Sequence, residues 1–188
     1  MGDRAITSTD EQPSEMPEGT PSLEALFREH HERVFLAAYR ISGSTQDAED
    51  VLQSVFLRFL NRAGHHSLGV NPVSYLCRAA INASLDMLRT KSRNRMINLE
   101  DSSNEPDPSA LPVDIDVHRA EQRRHLRVAL ASLRPRAAEI FALRYFEDFG
   151  NAEIAEMLGT SSSSIAVTLH RSRDRLQELL REFEGENT

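Results

Sequence analysis

From residue 97 to residue 116 every charged side chain is an acid: Glu100, Asp101, Glu105, Asp107, Asp114 and Asp116. Three prolines, Pro106, Pro108 and Pro112, interrupt the same stretch, and several serines fill it. Such a segment neither sustains a helix nor builds a core, and reads as a flexible linker. It therefore divides the 188-residue chain into two small folding units, each near the lower size at which a core sustains itself. The reading that follows is a disordered leader over 1–21, a first domain over 22–95, an acidic linker over 96–117, a second domain over 118–183 and a tail over 184–188. The leader is rich in Ser, Thr, Glu, Pro and Gly, with too few apolar groups to offset the entropy of ordering.

Both blocks carry helical periodicity, and nothing in the chain alternates as a strand would. Leu23, Leu26, Phe27, Val34, Phe35 and Ala38 recur at three- and four-residue spacing until Ser42-Gly43 stops the pattern. Ser44 or Thr45 offers the next cap, and Asp47, Glu49 and Asp50 follow in the first turns, where the helix dipole favours anions. Val51, Leu52, Val55, Phe56, Phe59 and Leu60 make that helix's apolar face. Asn71-Pro72 supplies a cap and a first-turn proline for a third, long helix, whose face of Val73, Leu76, Ala80, Ile81, Leu85 and Leu88 ends in the basic run 89–95.

In the second block Leu126, Leu130 and Leu133 mark one helix, and Ile140, Phe141, Leu143 and Tyr145 the next; two shorter helices follow. Those last two, within residues 150–176, have helix-turn-helix spacing, the second being the longer. Small Ala155 lets the helices approach, Gly159 closes the first in a left-handed conformation, and a serine caps the second. Ile154, Leu158, Ile165 and Leu169 face inward. Exposed positions of the second helix then enter a major groove, with Arg171, Arg173 and Arg175 near phosphates.

A net charge of −7 argues against nucleic acid until its distribution is examined. Residues 1–24 carry −5 and residues 97–116 carry −6, which leaves +4 on the two helical blocks. Residues 78–95 alone hold five basic side chains and one acid. No apolar run approaches the roughly 20 residues of a bilayer span, and no signal-peptide pattern opens the chain, so a cytoplasmic protein without membrane insertion is expected. The single cysteine, Cys77, reads as a core filler. The seven histidines include the adjacent pairs His30-His31 and His65-His66 but no zinc spacing, so neither metal nor cofactor is expected. Paired carboxylates, an activated nucleophile and a phosphate loop are all missing, which points away from an enzyme.

Three strings, in order, resemble the extracytoplasmic-function (ECF) RNA polymerase sigma factors over roughly 150 residues. Residues 47–53 (Asp-Ala-Glu-Asp-Val-Leu-Gln) with 55–58 (Val-Phe-Leu-Arg) look like the family's polymerase-binding helix. Residues 75–82 leading to 85–89 look like its minus-ten-element helix. Residues 143–147, 152–155 and 169–171 look like its minus-thirty-five-reading domain. The resemblance implies an all-α fold of a region 2-like and a region 4-like helix-turn-helix domain. It also implies an alternative sigma factor that binds core RNA polymerase and directs promoter recognition, melting and initiation, with an anti-sigma protein as a further partner. By the same resemblance Asp47, Asp50, Gln53 and Phe56 or Leu57 meet the polymerase. Asn61, Arg78, Asn82, Asp86, Arg89, Lys91 and Arg93 lie along the minus-ten strand, and the loop from His65 to Asn71 joins Asn61 in a pocket for a flipped base. Ser162, Ser163, Ala166, Val167, His170, Arg171 and Arg173 read the upstream element.

The chain departs from the family pattern at Ala166 and Thr168, where basic residues are common, and at Tyr75, where Trp is usual. Fewer phosphate contacts imply weaker upstream binding, and apolar Ala166 and Val167 imply contact with thymine methyls. Two readings fit the acidic linker: a strand that threads toward the polymerase active site and mimics the transcript, or a solvated tether. Two other functions remain open: a dimeric helix-turn-helix regulator without polymerase binding, and a helical adaptor that touches no DNA. Promoter sequence, inducing signal and any antagonist's identity are not written in these residues.

Overall fold

Among the described residues of the computed structural model (23–63, 71–97 and 117–185), seven helices form and no strand does. They are α1 (Leu23–Ser42), α2 (Thr45–Ala63), α3 (Pro72–Ile97), α4 (Val117–Ser132), α5 (Pro135–Tyr145), α6 (Asn151–Leu158) and α7 (Ser162–Gly185). The expected leader, most of the linker, the loop after Ala63 and the end of the tail lie outside the described residues.

Local chemistry sets the boundaries. Gly43 closes α1 at φ +69°, a backbone conformation that costs a side-chain-bearing residue about 1–2 kcal/mol. Ser44 caps α2, its Oγ accepting from the Asp47 amide at 3.2 Å. Asn71 caps α3 through Oδ1, which accepts from the amides of Val73 at 3.1 Å and Ser74 at 3.4 Å. Pro135 opens α5 at a position whose amide would have no helical partner. Glu153 reaches back to the amide of Gly150 at 2.6 Å to fix the start of α6, and Gly159 ends that helix at φ 61°. Ser161 caps α7 by accepting from the Ser164 amide at 3.2 Å. At 24 residues, α7 is longer than α4 and α5, not shorter as the periodicity alone suggests. Its apolar face continues past the turn through Leu176, Leu179 and Phe183.

The first unit, α1–α3, closes around Leu26, Val34, Ala37, Ala38, Val51, Val55, Phe56, Phe59, Leu76 and Ala80. The second, α4–α7, closes around Leu130, Leu143, Ile154, Ile165, Leu169 and Leu176, and its cluster does not stop at the unit boundary. Ile41 of α1 and Cys77, Ile81 and Leu85 of α3, all fully buried, belong to it. The two units thus share an apolar seam along one side of α3.

Candidate nucleic-acid interface

The helix-turn-helix segment exposes one strip. Ala155 (5% exposed) sits where α6 and α7 cross, Ile154 and Ile165 are buried behind it, and the left-handed turn at Gly159 aims α7 outward. Every residue expected to read the upstream element is exposed: Ser162, Ser163, Ala166, Val167, His170, Arg171 and Arg173. Val167 is half exposed, although burying an apolar side chain is favourable. His170 Nδ1 lies 2.7 Å from Asp174, and Arg175 is paired to Glu178 at 3.0 Å. Arg171 and Arg173 carry no ion pair among the described residues, so their guanidinium groups face solvent uncompensated. Thr168 turns back on its own helix, donating to the Ser164 carbonyl at 2.8 Å.

The basic face of α3 is arranged differently. Arg78 Nε donates to Glu139 Oε1 of α5 at 2.7 Å, and Asn82 Nδ2 donates to the same oxygen at 2.8 Å. Arg78 Nη1 also reaches the carbonyl of Met157 in α6 at 3.1 Å, and Arg136 holds the other Glu139 oxygen at 3.2 Å. Burial alone would raise the Glu139 pKa. The hydrogen bonds from Arg78 and Asn82, with the charges of Arg78 and Arg136, outweigh that and hold it below the ordinary carboxyl value. Asp86 is exposed and pairs within the helix with Arg89 at 3.0 Å. Arg89 is itself largely buried, and its Nε and Nη2 find no hydrogen-bond partner among the described residues, which leaves two donors of an ionised group unsatisfied. Lys91 crosses to Asp47 of α2 at 2.5 Å, joining a residue expected at the minus-ten strand to one expected at the polymerase. Arg93 and Asn61 are exposed, and the loop expected to complete a pocket with Asn61 lies outside the described residues up to Asn71.

On α2, Asp50 and Gln53 are exposed and Leu57 is 59% exposed. Phe56 is not a surface residue: at 5% exposed it packs edge-to-face on Phe27, with ring centroids 4.9 Å apart. The apolar group that α2 presents outward is therefore Leu57, because Phe56 falls on the same face as Val55 and Phe59.

Sequence reasoning missed the second acid of this interface, Glu147, whose carboxylate accepts from Arg40 at 2.9 Å and from Arg33 at 3.4 Å. Arg40 also donates to the Phe146 carbonyl, and the Arg33 guanidinium lies 5.4 Å from the Phe149 ring centroid. The turn that delivers Glu147 is held by Asp148 at φ 57°, a conformation Asp tolerates better than most residues. A signal for Glu139 was present: it shares a helix face with Ala142 and Leu143, which are fully buried, and a charge in that register demands a partner. Cys77 is buried as expected, and its thiol pKa is pushed up to about 12, first by burial and then by the charge of Glu147, against the opposing Arg33. Among the described residues no group of His, Cys, Asp and Glu could hold a metal ion, and no helix is long and apolar enough to cross a membrane.

Comparison with known proteins fits both units. Residues 26–94 match the model of sigma-70 region 2, and residues 123–176 match that of sigma-70 region 4. The two matches, in this order on an all-helical fold, define a sigma-70-class initiation factor, a DNA-binding class that carries out no reaction of its own. The chain is 32% identical to the ECF RNA polymerase sigma factor SigE of Mycolicibacterium smegmatis, over 93% of this chain and 72% of that protein. It is 34% identical to the RNA polymerase sigma factor CarQ of Myxococcus xanthus, over 88% of this chain and 92% of that protein. The chain belongs to the extracytoplasmic-function family of RNA polymerase sigma factors. It is an alternative sigma factor that directs transcription initiation with core RNA polymerase at promoter DNA. The same fold is found in the sigma factor RpoE of Bartonella quintana, solved with the anti-sigma factor NepR. There the TM-score is 0.53 at 20% identity, covering 84% of this chain and 96% of that one.

Proposed function

We propose that the division of labour follows the two units. The first, within 22–95, grips the polymerase through the exposed Asp50, Gln53 and Leu57 of α2, with Asp47 beside them. Along α3 it tracks the melted minus-ten strand through Arg78, Asn82, Asp86, Arg89, Lys91 and Arg93, with Asn61 at the edge. The second, within 118–183, lays α7 in the major groove of the upstream element. Ala166, Val167 and His170 meet base edges there, while Ser162, Ser163, Arg171 and Arg173 position the helix on phosphates.

The observation that carries this reading is the contrast within α7. Its inward residues are buried, while all the proposed readers stand exposed on one strip behind a left-handed turn. The chain works in the cytoplasm, where the polymerase is, has no catalytic activity of its own, and is restrained by an anti-sigma protein.

The test is run-off transcription with sigma-free core polymerase and genomic promoter fragments. The chain yields discrete transcripts. Leu57→Asp abolishes association with core at low salt while leaving helicity intact, and Arg171→Gln with Arg173→Gln weakens binding to promoter duplex. A purified chain that shows no association with core enzyme at low salt would overturn the assignment.

A further inference from the structure

Helix α4 carries four arginines, Arg119, Arg123, Arg124 and Arg127, and a single acid, Glu121. Glu121 lies 3.9 Å from His125, and among the described residues none of the four arginines has an ion pair. On other helices exposed arginines are matched, Arg28 by Glu24 at 2.6 Å and Arg175 by Glu178 at 3.0 Å. Arg119, Arg123 and Arg124 are exposed, and Arg127 is half-buried. Burial lowers the Arg127 pKa first, and the charges of Arg123 and Arg124 lower it further against the pull of Tyr39, so these guanidinium groups repel one another. Arg119 also stands in the first turn of α4, which holds no acid and where the helix dipole disfavours a cation. Like charges gathered in this way cost stability, and nothing among the described residues offsets the cost.

The surroundings say which anion fits. None of the exposed large apolar side chains lies on α4, so the patch lacks the apolar anchor of a protein interface. It also shows no exposed aromatic ring on which the bases of a single strand could stack. Charge alone, stepping about 6 Å along the helix from Arg119 to Arg123, is what the phosphate backbone of a duplex requires. His125 turns toward α7 and stacks on Phe183, with ring centroids 4.7 Å apart. Phe183 stands about 24 Å along α7 from Val167, a length of about seven base pairs, so α4 flanks the reading strip rather than overlapping it. We propose that Arg119, Arg123 and Arg124 form a second, sequence-independent contact with duplex DNA, on phosphates flanking the upstream element. This rests on the reading that α7 lies in the major groove of that element. There α7 supplies readout and α4 supplies grip, its guanidinium forks taking phosphate oxygens and releasing the counterions that covered them.

Holoenzyme rebuilt from core polymerase and the full-length chain is titrated onto promoter fragments recovered by run-off transcription, across a series of salt concentrations. Arg119→Gln, Arg123→Gln and Arg124→Gln together lower the slope of log affinity against log salt by about 2 to 3. The drop is the same on every fragment, and Lys at the three positions restores most of it. Affinity of the Gln chain for core polymerase without DNA, and its midpoint of urea unfolding, do not fall. An unmoved slope overturns the proposal. Weaker binding to core polymerase assigns the patch to protein and also overturns it, as does a loss that varies with promoter sequence. Arg171→Gln in the same assay separates the two readings. If it lowers the slope by about one while the α4 change has no effect, the reading of α7 stands and the α4 contact does not; if neither change moves the slope, the reading of α7 fails as well.

Discussion

The two surfaces proposed to meet DNA are built from similar side chains and stand in opposite states. On α7, Arg171 and Arg173 are exposed and uncompensated. On α3, Arg78 is tied to Glu139, Arg89 is tucked in beside Asp86, and Lys91 is spent on Asp47. The difference follows from where each helix sits. Outward-facing α7 positions stand exposed, whereas α3, with Ile41 of α1, is packed against the apolar cluster of the second unit. Basic composition therefore picks out both places as proposed nucleic-acid surfaces but predicts exposure in only one.

Four measurements would break or sharpen that contrast. The largest effect is expected at the seam. Leu130→Ala, at a fully buried position of the shared cluster, should destabilise the chain by about 2–5 kcal/mol in urea unfolding, whereas Val167→Ala on the open strip should change it by less than about 0.5 kcal/mol. Equal losses at the two sites would erase the distinction.

Next are two glycines with nearly the same backbone and different neighbours. Gly159 at φ +61° has nothing within 4 Å of an added methyl, whereas at Gly43, φ +69°, the methyl would sit 2.6 Å from the Arg127 guanidinium. Alanine at either should cost about 1–2 kcal/mol of backbone strain. Gly43→Ala should cost more, because Arg127 of α4 must also move; a larger loss at Gly159 would contradict this account of the seam.

For DNA, Arg171→Gln should lower affinity for promoter duplex uniformly across sequences and reduce the slope of log affinity against log salt by about one. A sequence-dependent loss would make it a base reader instead.

The smallest effect is the pH response of Glu139. Because its folded pKa is lowered, its ionic contribution is fully present above the unfolded value of about 4.3 and is lost as the pH falls through the folded value. The stability gap between the unaltered chain and Glu139→Gln should therefore narrow on acidification below about pH 4. A gap that widens there would reverse the assigned cause.

Much of the fold was legible because it is set locally. Ser44, Asn71-Pro72 and Gly159 mark helix ends through contacts within a few residues, and the apolar spacing of α1–α3 needs no partner to be read. The α7 strip was legible for the same reason: turn, cap and inward face all lie within residues 150–176. What escaped is what depends on distant pairs. Glu139 meets residues 57 and 61 positions away, and Glu147 meets residues more than 100 positions away, so although the register of Glu139 signals a buried charge, neither spacing nor composition says which residues these acids meet. Phe56 and Leu57 both stood open as the polymerase anchor, because one string of residues does not say which of two adjacent apolar side chains turns inward. The choice between a polymerase-bound initiation factor and a dimeric regulator came from relatives, since a helix-turn-helix serves both.

The seam around Ile41, Cys77, Ile81 and Leu85 has a thermal consequence. Parting the units wets a continuous hydrocarbon surface, so the step carries a positive heat-capacity change, and its resistance weakens on cooling as the hydrophobic contribution fades. A chain built this way is clasped by its oily flank more firmly when warm than when cold.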